Sequence, residues 1–252
     1  MSSVVFFKRI FSNKIYWLSV LAAVLLLMCS VVYVDYMSGT EYMLISLLYD
    51  DVAQEALSSG MVSMVNIILG YDNSYMWMFC PIIVGMPCII TNRTERFVLV
   101  RTSKNNYILS KYLTNIFSGG CILVLAYILF IAISLIITKE NIGNEYIIRK
   151  LLSVYCWGML SALPSIILSE FVHNKYLILC IPFVINYFMI FFVGNILPYD
   201  IAKYVTPTTY QIIFLDDKET MIYGSCILII LIVMCAFLKK IVLERRCDCG
   251  QR

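Results

Sequence analysis

The residues best equipped for chemistry in this 252-residue chain are gathered between positions 93 and 111. Arg93, Arg96, Arg101, Lys104 and Lys111 stand there beside Glu95, with Ser103 and Tyr107 among them. Phe97, Leu99, Val100, Ile108 and Leu109 share the same stretch. A mere connector would not keep so many apolar side chains. Charged residues alternating with apolar ones suit a short helix pressed against another protein, or a basic loop drawn to anionic lipid headgroups.

Elsewhere the chemistry is sparse. His173 is the only histidine, which removes multi-histidine metal sites and H-E-x-x-H proteolysis. No G-x-x-x-x-G-K-[ST] occurs, so the chain has no P-loop with which to hydrolyse ATP, and no G-x-S-x-G is present. No pair of acids lies inside an apolar run, as an ion-coupled carrier would often require. Glu170, beside His173 and Lys175, reads either as a solvated charge at a helix end or as a contact for a cytosolic partner. Of the ten cysteines, eight lie in apolar runs, where they act as small apolar residues. Cys247 and Cys249 form a C-x-C without a second pair or histidines, a poor zinc site. The expectations are no catalytic residue, no metal and no cofactor in this chain.

The elements that carry these residues are membrane helices. Hydrophobic residues make up 61% of the chain and charged ones only 14%, against roughly half and a quarter in a soluble domain. A helix needs about 20 apolar residues to cross the hydrocarbon. The runs 15–34, 73–92, 112–138, 151–169, 176–199 and 220–238 contain no Asp, Glu, Lys or Arg, so the fold class is all-α and polytopic, with six transmembrane helices. A shorter run, 56–71, broken by Ser58, Ser59, Gly60, Ser63 and Asn66, reads as an interfacial or re-entrant helix in an outer segment 35–72.

Loop charges set the orientation. Counting alternate connections, 14 of the 19 basic residues fall on the side of the two termini, and 12 of the 16 acids fall on the other. The positive-inside rule puts both termini in the cytosol. No small-residue cleavage site follows the first apolar run, which is too long for a signal peptide and is expected to be retained. Before it, Val4, Phe7, Phe11 and Ile15 fall near one face, which suits an amphipathic helix over 4–14 lying in the interface or a disordered basic anchor.

The stretch TERFVLVRTSKNNYILSKYLTNIFSGG resembles the cytosolic loop of ABC-2 type transporter permeases. In that family an acidic residue ends the second span, a run similar to L-x-R-x-S-R/K-x-x-Y-x-x-x-K follows, and the third span begins. Glu95, Leu99, Arg101, Ser103, Lys104, Tyr107 and Lys111 match that pattern, with Arg96 beside the acid. Phe97 stands where many members have glycine. The amphipathic arm, six spans, cytosolic termini and the proline-containing segment ILPYDIAKYVTPTTY before the sixth span agree with the family's type V exporter-like layout.

What the resemblance implies is an exporter subunit in a bacterial plasma membrane. Such permeases work in pairs, as two copies or two related chains, each docked on a separate ATP-binding subunit that holds the ATP and Mg2+. The basic loop would be a coupling helix seated on that ATPase. Small family members include exporters of cytolytic peptides and pumps against antimicrobial peptides, so amphipathic peptide cargo is expected, with multidrug or lipid efflux as the alternative. No nucleic-acid partner is implied. Outside the family, a secondary carrier and a membrane sensor or scaffold are the other readings.

Several features suit spans that rearrange. Pro81, Pro87, Pro164 and Pro182 fall inside spans, where proline shapes or kinks helices. Gly119 and Gly120 would permit close helix contact. Phe183, Asn186, Tyr187 and Phe191 recur at helical spacing and either line a pathway or pack the bundle. The apolar segment 198–219 reads as a re-entrant gate or a lid.

Overall fold

The computed structural model describes residues 2–37, 74–92, 104–138, 144–172, 174–189, 196 and 218–249. Among these, seven helices and no strand are found: α1 (Ser2–Phe11), α2 (Lys14–Met37), α3 (Ser74–Asn92), α4 (Lys104–Thr138), α5 (Asn144–Phe171), α6 (Lys175–Phe188) and α7 (Lys218–Cys249). Three are long and apolar enough to cross a membrane, over Asn106–Ile133, Ile147–Phe171 and Met221–Leu238. Together with the composition they make the chain a helical membrane protein. α1 and α2 form a fourth candidate if counted together, bent by 61° at their junction. The apolar stretches of α3 and α6, Met78–Thr91 and Lys175–Phe188, are shorter. The expected segments 35–72 and 198–219 lie outside the described residues except at their edges.

The junction between α1 and α2 has a clear local cause. Asn13 breaks the helix, and its side-chain oxygen accepts from the Ile15 N–H at 2.9 Å, starting α2. Ser12 Oγ donates to the Arg9 carbonyl, and Trp17 Nε1 donates at 2.8 Å to the carbonyl of Phe11. Two carbonyls left over at the end of α1 are thereby satisfied.

α1 carries more than the expected stripe. Phe6 and Ile10 are 1% and 0% exposed and face the bundle, whereas Val4 is 70% exposed and Phe7 and Phe11 are half-buried, their rings stacked 6.3 Å apart. One apolar face is therefore spent on protein, and a second stays exposed or half-buried beside the exposed Lys8 and Arg9.

α3 sits at the centre and packs on α2, α4, α5 and α6, while α4 and α5 form the most extensive pair. α4 and α5 run antiparallel and meet at glycine. A Cβ on Gly158 would lie 2.8 Å from the Gly120 Cα and 3.1 Å from the Gly119 carbonyl oxygen. The expectation of close contact at Gly119 and Gly120 holds, and Gly158 of α5 supplies the other half, which sequence reading had not singled out. Gly85 of α3 plays the same part against Ser165 and Leu179. α7 stands at the edge, with 11% of its span buried against 67% for α5. The helices continue through Pro81, Pro87, Pro164 and Pro182.

Two boundaries differ from expectation. α4 begins at Lys104, so the second half of the basic stretch is already the base of the third span's helix. α5 begins at Asn144, and Lys150, expected in an outer connection, is inside that helix, 0% exposed, with its ammonium 5.9 Å from the centre of the Tyr127 ring. The aromatic face gives a buried cation a favourable neighbour. Since Lys111 is likewise withdrawn into the bundle, one charge leaves each side of the count and the basic asymmetry stands.

Candidate functional site

A group of buried polar residues lies at the end of the bundle where α1 packs on α4. Lys111 Nζ donates to Glu170 Oε1 at 3.2 Å, and the two side chains are 2% and 4% exposed. The pair joins the base of α4 to the last turn of α5, 59 residues apart in the chain. Tyr107, one turn before Lys111, places its ring 5.9 Å from the same ammonium. Burying two charges is expensive, and geometry good enough to offset that cost leaves little freedom.

Neighbouring groups extend the polar cluster. Thr91 Oγ1, at the end of α3, lies 3.1 Å from the Cys88 carbonyl and 3.1 Å from the side-chain oxygen of Asn115. A hydroxyl has one proton, so it donates to one of these at a time. Asn115 Nδ2 has no partner among the described residues; turning the amide end for end would let it donate to Thr91 and satisfy both groups. Ser110, Thr114 and Ser118 are buried on the same helix, and the Thr114 and Ser118 hydroxyls bond back to its own carbonyls. They need no outside partner.

The base of α4 thus carries three handles. Tyr107 packs on Phe6 of α1 with the rings tilted by 58° and their centroids 5.8 Å apart, and Ile108 completes a small apolar cluster. Lys111 holds Glu170 of α5. Tyr112 Oη donates to the Ile232 carbonyl of α7. Tyr107 and Lys111 lie one turn apart on one face and Tyr112 about 100° round from Lys111, and the three side chains reach three different helices.

The sequence-based candidates distribute as follows. Glu95, Arg96, Leu99, Arg101 and Ser103 lie outside the described residues, as do His173 and Phe191; Lys104 begins α4. Tyr107 and Lys111 are buried, so neither side chain is open to a partner protein in this structure. Glu170 is corrected as well. It is neither a solvated helix end nor an open contact, because Lys111 draws it inside. Phe183 is half-buried and stacks on Phe79 of α3 at 5.6 Å, Asn186 is buried, and Tyr187 is exposed. The three lie on one side of α6, with Asn186 nearest the bundle and Tyr187 farthest from it, and Phe183 packs against α3.

No family model matches the chain, and neither a curated protein nor a solved structure is significantly similar to it. Function rests on the residues themselves. No group of three or more metal-ligating side chains occurs among the described residues, and the eight cysteines whose side chains are described are free thiols. What the cluster can do is mechanical. It holds the first rigid turns after the basic stretch to α1, α5 and α7 at once.

Proposed function

We propose that this chain is the membrane subunit of an ATP-driven ABC-2 exporter, with six spans and both termini in the cytosol. Two such chains, identical or related, form the pathway for an amphipathic cargo, for which peptide is favoured over drug or lipid. A separate P-loop subunit binds ATP and Mg2+ and carries out the hydrolysis. The observation that carries the reading is the anchorage of α4. The stretch that resembles a coupling loop is followed in sequence by the 35-residue helix α4, whose base is locked to three other helices.

A push delivered to the start of α4 would reach the bundle through its anchored base, where Tyr107, Lys111 and Tyr112 hold three other helices. Only contacts that differ between the inward- and outward-facing states can convert that push into transport. Glu95→Ala and Arg101→Ala are expected to reduce recovery of the ATPase with the chain, or to lower the ATP turnover of the complex about tenfold, within the usual range for coupling between sites. Membrane insertion stays unchanged. Wild-type recovery and turnover in both variants would remove the stretch from the mechanism.

The buried Lys111–Glu170 pair is the one observation that favours a secondary carrier, since such pairs occur along proton paths. Flux in sealed vesicles driven by a proton gradient without ATP would establish that reading instead.

A further inference from the structure

We propose that Lys111 and Glu170 are positioning residues that pass movement of the basic stretch to the α5–α6 hairpin, so that this hairpin is what the nucleotide cycle moves. The inference rests on the transporter reading above and names the element on which its work is done.

Three features place the pair on that route. Lys111 lies two turns into α4, the first part of the helix anchored inside the bundle. Glu170 is in the last turn of α5, and α6 begins at Lys175 after a short break. Asn174 closes that break, with its side-chain oxygen accepting from the Tyr176 N–H at 3.0 Å and its carbonyl from the Ile178 N–H. Glu170 is therefore five residues before the capped start of α6.

The third feature is the glycine crossing. α4 and α5 touch backbone to backbone at Gly119, Gly120 and Gly158. This close approach fixes the point about which a displaced α4 base would tilt against α5. Lys111 lies eight or nine residues from that crossing, about 12 Å along the helix. A buried ion pair at that distance restrains the pivot as a latch restrains a door, and it holds the α5 end against whatever displaces the α4 base.

Hydrogen exchange of the chain in complex with its ATP-binding subunit, in lipid nanodiscs, tests this with ATP and vanadate as the trapping ligand. In the wild type, trapping is expected to change exchange both at 104–113 and at 168–178. Lys111→Met/Glu170→Leu keeps apolar bulk at both positions and removes both charges. It is expected to retain the response at 104–113 and to lose about tenfold of the response at 168–178, a size ordinary for coupled sites. The exchanged pair Lys111→Glu/Glu170→Lys is expected to restore it.

An undiminished response at 168–178 in the apolar variant would overturn the inference while leaving the transporter reading intact. So would faster exchange at both segments without nucleotide, which marks a structural pair only. No response at 93–113 in the wild type would overturn the transporter reading and this inference with it.

Discussion

Glu170→Ala is expected to destabilise the chain by about 3–5 kcal/mol, the usual cost of stranding one half of a buried ion pair. The carboxylate it removes lies 3.2 Å from Lys111 Nζ in a site closed to solvent. The Tyr107 ring, 5.9 Å from the ammonium, offers at best about 2 kcal/mol as a cation–π partner and does not replace an opposite charge. Lys111 must then draw water into the bundle or pull away from α5. Each route loosens the junction with α5.

Lys111→Met/Glu170→Leu provides the contrast. With both charges gone, nothing is left uncompensated, and buried pairs replaced by apolar residues are often neutral or stabilising by about 1–4 kcal/mol. The fluorescence of Trp157, which is 1% exposed, reports unfolding in detergent. A large loss in the single variant with little in the double one is the expected pattern. Equal losses in both would show that the side chains matter for shape rather than charge.

The second large effect is expected at the glycine crossing. Gly158→Leu must part α4 and α5, because even its Cβ would stand 2.8 Å from the Gly120 Cα. Backbone cannot yield there as a flexible side chain could. Overpacking a tight contact costs about 1–3 kcal/mol, occasionally more, and in a membrane bundle close approach of small residues is itself what holds helices together. Ala132→Leu, at an exposed position on α4, is the control and should be nearly silent. Thermal unfolding that fell equally in both variants, or in neither, would contradict a glycine-mediated crossing.

Much of the helical plan was legible because charge is so costly in hydrocarbon that uncharged runs mark helices almost unaided. α2 and α3 match the runs 15–34 and 73–92 closely. Gly119 and Gly120 could be read as a contact because adjacent glycines inside a span have few other uses. Helix ends were less legible. Polar residues can continue a helix past the membrane, which is how α4 comes to begin at Lys104 and α7 to run on to Cys249.

The buried charges escaped for a different reason. Lys111 and Glu170 are far apart in sequence, and each alone looks like a solvated group at the end of a span. A usable signal did exist. Consecutive antiparallel spans place the start of one beside the end of the next, so opposite charges at those two positions are candidates to pair. Lys150 gave no such signal, because its partner ring, Tyr127, is one aromatic residue among many in the spans. The Phe6–Tyr107 contact depends on α1 folding back at Asn13, which periodicity alone does not disclose.

The account stands on which side of the membrane the base of α4 faces. Asn106 is exposed there, and Asn106→Cys in a cysteine-free background can be probed in sealed cells and in inside-out vesicles with a membrane-impermeant thiol reagent. The proposed topology gives labelling in the inside-out vesicles and none in the intact cells. Labelling from the outside of intact cells would place the basic stretch beyond the reach of any cytosolic ATPase and contradict the account.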